Sequence, residues 1–269
     1  LFAPFAIADS TIIGNTAAES VSLGAGLYIE VEDSVSIEDS YVEENWAVLR
    51  GGGLHVEGGA SLTVKRSSVS YNHDASFGGG ASILDGDATF VSSAFIENQA
   101  DNGGALYVGP SGSVDLINVS TNDNYAAIQG GTAYNDEGTL QALHTSFFGD
   151  HAAPGGTSGI HGLAGSSSDL DRSIFLPSGA SGTYCSGPVA SLGGVLTYAS
   201  VCFSLGASDI VGTTTGLSLC SAPTCSPIIV EAASPSLALG NAVPCGVVDD
   251  ARGVTRLAAR CDIGAWEAP

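Results

Sequence analysis

The sequence predicts an all-β fold: a right-handed, single-stranded parallel β-helix, or solenoid, with a disulfide-stabilised C-terminal cap. Three observations carry that expectation. Asparagines recur at a nearly constant spacing, apolar residues stand in fixed columns before each of them, and a glycine cluster follows each one.

The spacing comes first, because a period of this length decides the architecture. Asn15, Asn45, Asn72, Asn98 and Asn124 are 30, 27, 26 and 26 residues apart, and Asp150 continues the series. Ten residues before each mark stand Phe5, Val35, Leu62, Ala88, Val114 and Leu140, and eight before stand Ile7, Ile37, Val64, Phe90, Leu116 and Ala142. Apolar positions two apart with polar residues between them describe a strand with one buried face; a helix needs recurrence at three and four. Three before each mark lies another mostly apolar column, from Ile12 and Val42 to Phe147. Five before it lies a column of small hydroxyls, Ser10, Ser40, Ser67 and Ser93, then Val119 and Thr145. Stacked serines can hydrogen-bond along a solenoid axis, so this column need not leave buried polar groups unpaired.

After each mark comes glycine: Gly24 and Gly26, Gly51–Gly53, Gly78–Gly80, Gly103–Gly104, Gly130–Gly131 and Gly155–Gly156. Glycine at a fixed place implies a sharp corner with positive φ or close backbone approach. A short strand follows, as in Leu27-Tyr28-Ile29 and Leu106-Tyr107-Val108, with its middle residue outward. One such repeat cannot bury its apolar face. Stacked at about 4.8 Å per coil, like residues form ladders over a continuous core. The asparagines then sit inside a turn, each amide bonding to the next. Leucine-rich repeats would need Leu-x-x-Leu-x-Leu spacing and a helical return, and propeller blades would need repeats of about 40 residues.

Composition agrees. Glycine is abundant at 37 residues, methionine is absent, Lys65 is the single lysine, and charged residues are 13% of the chain. No apolar run reaches the roughly 18 residues of a membrane span, so the expectation is a soluble chain without direct membrane insertion. It begins at Leu1, with no recognisable signal peptide, and reads as processed or trimmed. The formal net charge of −21 disfavours nucleic acid and anionic membrane surfaces. It keeps an extracellular protein soluble and makes calcium a possible ligand.

Regular coils are expected over residues 1–165, with looser coils and a cysteine-containing cap over 166–269 of the same solenoid. Cys185, Cys202, Cys220, Cys225, Cys245 and Cys261 all lie in that last part, which suggests three disulfides and an oxidising compartment. Zinc is disfavoured because Cys220 and Cys225 are four residues apart and no ligand histidines accompany them. Fifteen pairings are possible, nearest neighbours being the simplest. At the other end Phe5 already occupies a core column, so this coil either lost its cap or docks on another chain.

Phe95-Ile-Glu-Asn98 followed by Gly103-Gly-Ala-Leu106 resembles the repeat of bacterial polymorphic outer-membrane proteins and related surface β-helices. Ala233-Ser-Pro-Ser236, Asp249-Asp-Ala-Arg-Gly253 and Cys261-Asp-Ile-Gly-Ala-Trp-Glu267 resemble the terminal domain of bacterial surface proteins of the choice-of-anchor type. The resemblance implies an exported bacterial β-helix at the cell surface, often adhesive, and carries over no catalytic residue.

Candidate chemistry is sparse. Lyase-type action on polysaccharides needs calcium-binding carboxylates and a cationic base, and Arg50, Lys65 and Arg66 are the only cations in the regular coils. Hydrolysis needs two carboxylates flanking one bond, whereas Glu43-Glu44 and Asp249-Asp250 are adjacent and would point apart in strands. Gly159-Ile-His161-Gly is only faintly like a hydrolase motif. His144, His151 and His161 fall in successive coils, although His55, His73 and these three read best as ordinary surface histidines. Asn118-Val-Ser120 is a glycosylation sequon by pattern only, and Asp249, Arg252 and Asp262 read as ties within the cap. The candidate binding face is the outward column Tyr28, His55, Ser82, Tyr107 and Tyr134 with Glu30, Glu57 and Asp136 two residues on. Aromatics and carboxylates at coil spacing suit a glycan or a protein surface. The sequence therefore points to a non-catalytic extracellular structural or adhesive solenoid, with head-to-tail assembly through the first coil as one form of that reading. A polysaccharide-binding or pectate-lyase-like protein is the alternative.

Overall fold

A computed structural model describes residues 4–20, 22–30, 34–74, 76–176, 183–197 and 203–211, with two further strands and the pair Asp249 and Thr255. Among them there is no helix. Four parallel sheets run the length of the solenoid. Sheet A stacks Phe5–Ala8, Ser34–Glu38, Ser61–Lys65, Asp87–Val91, Ser113–Ile117, Thr139–Leu143, Ser167–Asp171 and Val189–Gly193. Sheet B begins with Thr11–Ile13 and Tyr41–Glu43, sheet C with Thr16–Ala17 and Trp46–Ala47, and sheet D with Leu27–Ile29 and Leu54–Val56. Each chain turn passes through A, B, C and D before rising one coil. Sheets A and B continue past residue 165, to Val189–Gly193 and Ile210–Val211. Apart from them, Leu217–Leu219 pairs antiparallel with Val230–Ala232, and Asp249 bridges Thr255.

The registers reproduce the sequence columns. Phe5 pairs with Val35, Val35 with Leu62, Leu62 with Ala88, Ala88 with Val114 and Val114 with Leu140. The inward positions of sheets A, B and D, such as Ile37, Val64, Phe90, Leu116, Val69, Phe95, Leu54 and Leu106, form one buried core. Its aromatics meet edge to face: Phe90 with Phe95 at 4.8 Å and Phe147 with Phe175 at 5.7 Å. Each such pair is worth roughly 0.5–1.5 kcal/mol beyond the area it buries. Phe5 holds its core column but remains 59% exposed.

Left-handed residues at two of the corners explain the two polar columns. At the A–B corner Asp9, Asp39, Arg66, Ser92, Asn118, His144 and Arg172 all have positive φ. The following hydroxyl then accepts the backbone N–H of the coil before it, as Ser40 Oγ does from Ser10 N at 3.1 Å and Ser67 Oγ from Ser40 N at 3.0 Å. It donates in turn to the carbonyl two residues back, Ser67 Oγ to Lys65 O at 2.7 Å. At the B–C corner Gly14, Glu44, Tyr71, Glu97, Asp123 and Gly149 have positive φ, and the next residue is the ladder asparagine. Asn15 Nδ2 donates to Asn45 Oδ1 at 2.8 Å, Asn45 to Asn72 at 2.9 Å, Asn72 to Asn98 at 3.1 Å and Asn98 to Asn124 at 2.9 Å. The same oxygens take the backbone N–H groups of the preceding asparagines. Asp150 closes the series.

The glycine corner lies between sheets C and D. Gly51, Gly78, Gly103 and Gly130 adopt positive φ, and a Cβ on the next residue, Gly104 for example, would lie 2.6 Å from the carbonyl oxygens of both Gly131 and Tyr125. Gly155–Gly156 does not continue this column. Ala133 pairs with Ile160, so the residue equivalent to Gly130 is Thr157, whose carbonyl accepts the Gly130 N–H at 2.8 Å. The two glycines belong to an extra turn just upstream, closed by Gly156 N to Ala153 O at 2.9 Å.

Cys185 is buried in sheet D. Cys202, Cys220, Cys225, Cys245 and Cys261, and with them the nearest-neighbour pairing, lie outside the described residues, as do the Ala233 and Cys261 motifs, Arg252 and Asp262. Asp249 is described, and its place is unexpected. Asn118 Nδ2 donates to its carbonyl at 2.7 Å across 131 residues, so Asp249 itself lies against the middle of the solenoid.

Candidate functional site

The outward column of sheet D is the face singled out by sequence. It stacks in register: Tyr28 on His55, then Ser82, Tyr107, Tyr134, His161 and Ser186. Outward register does not mean exposure here. Tyr28 is 38% exposed and Tyr134 half-buried, but His55, Ser82 and Tyr107 are buried. The physical cause is the neighbouring corner. Arg50 and Phe77, which bridge to one another just before their glycines, fold over this face. The Arg50 guanidinium carbon lies 5.1 Å from the Tyr107 ring centre and 5.3 Å from that of Phe77. Tyr107 also stacks with Tyr134 at 6.1 Å, planes 12° apart, and meets the tilted Phe77 ring at 4.9 Å. Arg50 adds a cation–π contact of roughly 1 kcal/mol or more when half-desolvated.

Carboxylates two residues on tie one coil to the next. The Tyr28 hydroxyl donates to Glu57, and the Tyr107 hydroxyl donates to Asp136 at 2.9 Å. Burial, then the Asp136 contact, pushes the Tyr107 phenol up to about 12. Tyr28 and His55, which lies 3.2 Å from the Glu57 carboxylate, together hold Glu57 below the ordinary glutamate range. Burial pushes His55 down despite Glu57. Glu30 is exposed at the edge of the column. Of the expected binding residues, then, Tyr28, Glu30, Glu57 and Tyr134 reach solvent while His55 and Tyr107 serve the packing. Stacking also occupies ring faces: Tyr28 with His55 at 4° and Tyr134 with His161 at 14°. A sugar-binding platform needs those faces free.

The histidines follow a rule that the sequence reading missed. Four of the five stack or lean on the aromatic residue one coil earlier in the same register: His55 on Tyr28, His73 on Trp46, His151 on Tyr125 and His161 on Tyr134. The fifth, His144, is fully buried at an A–B corner. His144, His151 and His161 occupy a corner, sheet C and sheet D, so they do not come together. Nor are His55 and His144 surface residues. Burial holds His55, His73 and His161 below the usual imidazole range. Among the described residues no group of three His, Cys, Asp or Glu could hold a metal ion.

A second outward column lies on sheet C, immediately after each ladder asparagine: Thr16, Trp46, His73, Gln99, Tyr125 and His151. Its ring pairs are tilted by 42° and 47° rather than stacked, which leaves faces open, and Trp46 is 37% exposed. The signal was present in the sequence at the position after each Asn, but most of these strands have only two residues and gave no alternation to mark it.

The cations are held apart. Arg66 forms a bidentate pair with Asp39, 2.7 Å at both nitrogens, and reaches Glu38 at 3.1 Å; Lys65 is 3.8 Å from Glu38. Those carboxylates push the exposed Arg66 guanidinium further up, while Arg66 holds Asp39 down. Arg50 is caged by rings. Asp74 is buried with Oδ1 capping Ser76 N and Phe77 N at 2.6 and 2.7 Å, and burial raises it to about 6. Among the described residues no helix is long and apolar enough to cross a membrane.

No curated protein and no solved structure matches the chain. A family model described as a right-handed β-helix region does match, over residues 5–185. That span exceeds half of the chain and coincides with the parallel coils, and the protein belongs to the right-handed β-helix family.

Proposed function

We propose that this protein is a non-catalytic, extracellular structural or adhesive solenoid, exported to a bacterial surface and stapled by disulfides in its C-terminal part. The observation that carries the reading is where the recurring polar residues go. Asparagines and serines close corner ladders, and histidines top aromatic rungs. The three cations of the first coils are caged or ion-paired. A chain that commits its repeating polar side chains to axial bonds is organised for stiffness along that axis. Head-to-tail association of copies through the sheet edge at Phe5–Ala8 and Thr11–Ile13 is one form of this reading.

Electron microscopy of the purified protein tests it: regular rods or filaments support a structural role. The opposing outcome is turnover of acidic polysaccharide, for instance a rise in unsaturated or reducing ends on polygalacturonate that scales with protein and is lost in Arg50→Ala. Chelation with a melting curve scores calcium in the same samples.

Polysaccharide binding is the second reading, and the sheet C column favours it. Trp46 and Tyr125 keep open ring faces beside Gln99 and Asp101, a suitable arrangement for the apolar faces and hydroxyls of a sugar chain. A glycan array with Trp46→Ala as control decides it.

A further inference from the structure

The outer edge of the asparagine ladder is unlike every other edge of the solenoid. Its left-handed column presents one exposed side chain per coil, Glu44, Tyr71, Glu97 and Asp123, at about 4.8 Å intervals. On the sheet B side stand Ile13, 50% exposed, and Tyr41, 46% exposed, and on the sheet C side stands Trp46; Tyr71 itself is 49% exposed. Most of the large apolar side chains that remain exposed in these first coils therefore gather round one corner, and a concentrated patch of this kind marks an interaction surface.

Charge distinguishes the corner further. At the A–B corner Glu38 and Asp39 take Lys65 and Arg66, and Asp171 takes Arg172 at 2.7 Å, while Asp9 of the first coil has no ion pair among the described residues. At the asparagine corner Glu43, Glu44, Glu97 and Asp123 form no ion pair among the described residues. Among the described residues the side-chain hydrogen bonds of these carboxylates are to uncharged partners, Tyr71 hydroxyl to Glu97 at 3.4 Å and Asn122 Nδ2 to Asp123 at 3.2 Å. Aromatic rings interleaved with unpaired carboxylates attract a cation twice, through its charge and through the ring quadrupole. Single file at coil spacing does not converge on one point, as a metal site must. It suits several cations carried in a row, each with an apolar stem to lie on Tyr41, Tyr71 or Trp46.

We propose that this corner is the docking surface for an extended, arginine- or lysine-rich segment of a partner protein. The inference rests on the adhesive reading and names the chemistry of the partner. Binding is expected to weaken with salt, because the contacts lie at the surface.

The test uses the full chain and a fluorescent oligo-arginine peptide, with oligo-glutamate as the opposite-charge control. The triple variant Glu44→Gln, Glu97→Gln, Asp123→Asn is expected to lose tenfold or more in affinity. A matched variant on sheet A and the D–A edge, Asp87→Asn, Asp115→Asn, Glu137→Gln, removes the same charge and is expected to change affinity less than twofold. Tyr41→Ser with Tyr71→Ser is expected to lose several-fold at physiological salt with every carboxylate intact. Equal weakening by the two charge variants would mean general attraction to an acidic protein and would overturn the proposal, as would unchanged binding in the tyrosine variant. Melting curves confirm that each variant is folded. Micrographs and glycan binding score the adhesive reading separately, so it can stand if the corner fails.

Discussion

Asn124 hands the ladder to Asp150. Its backbone N–H and its side-chain Nδ2 both donate to Asp150 Oδ1, at 3.0 and 2.8 Å, while Oδ2 takes the hydroxyls of Thr121 and Thr132, the latter at 2.6 Å. The carboxyl is fully buried and has no cation among these partners. Burial raises its pKa, against the pull of four hydrogen bonds. A folded pKa above the unfolded value near 3.9 means that the folded state binds the extra proton. This contribution to stability is complete below the unfolded pKa and is lost as pH rises through the folded one.

Asp150→Asn keeps the shape and the acceptor, and the threonine hydroxyls can turn to accept from the new amide. The variant is expected to be at least as stable as the parent at pH 7, and to lose the part of the pH dependence just described. Urea unfolding of both proteins from pH 4 to pH 8 checks it; a variant weaker by more than about 1 kcal/mol at pH 7 contradicts it.

Position along the ladder sets the cost of removing an asparagine. Asn98 accepts from Asn72 N and Nδ2 and donates to Val69 O at 2.8 Å and to Asn124, all buried. Asn98→Ala strands at least one buried donor and one acceptor, at about 1–3 kcal/mol each. Asn15 is exposed and only donates onward to Asn45. Asn15→Ala is expected to cost well under half as much. Chemical denaturation of the two variants side by side measures the ratio, and equal losses would refute the ladder account.

Glycines divide in the same way. Gly104→Ala sets a Cβ against two backbone oxygens on the next coil, which can retreat only if the coils separate. A loss of about 3 kcal/mol or more is expected, at or above the usual range for overpacking. Gly59 also has positive φ, but a Cβ there meets nothing within 4 Å. Gly59→Ala should cost only the left-handed strain, about 1–2 kcal/mol. Thermal melts of the pair distinguish steric from conformational cost.

How far the sequence reached is clear from particular residues. Val35, Ile37 and Val42 were legible because strand alternation and the coil period together leave one consistent inward face. The asparagine ladder was legible because a polar residue recurs amid apolar columns. Arg50 over Tyr107 was not, because that contact depends on how sharply the Gly51 corner folds sheet C onto sheet D, and column reading treats each face as independent. Gly155–Gly156 misled because it is a glycine pair at nearly the right distance; the corner there is Thr157, displaced by the extra turn. The pairing of His73 with Trp46 and of His151 with Tyr125 could have been found by reading one position past each mark. The return of Asp249 to Asn118 has no local signal, since nothing in either segment encodes a contact across 131 residues.

The histidine rungs give the last prediction. His55, His73 and His161 each rest on a ring and each is held low by burial, so at neutral pH they are uncharged. For a folded pKa below the unfolded value near 6.5, the unfolded chain binds the proton first. Stability from these rungs is therefore complete above the unfolded pKa and falls as pH drops through the folded values. NMR titration of the imidazole protons should place all three below 6.5. His55→Phe, which keeps a ring on Tyr28 and removes the titration, should flatten the acid side of the stability curve while losing roughly 1 kcal/mol at pH 7 for the bond to Glu57. A His55 signal titrating above 6.5 would mean that Glu57, not burial, governs that rung, and the curve of the variant would then steepen relative to the parent instead.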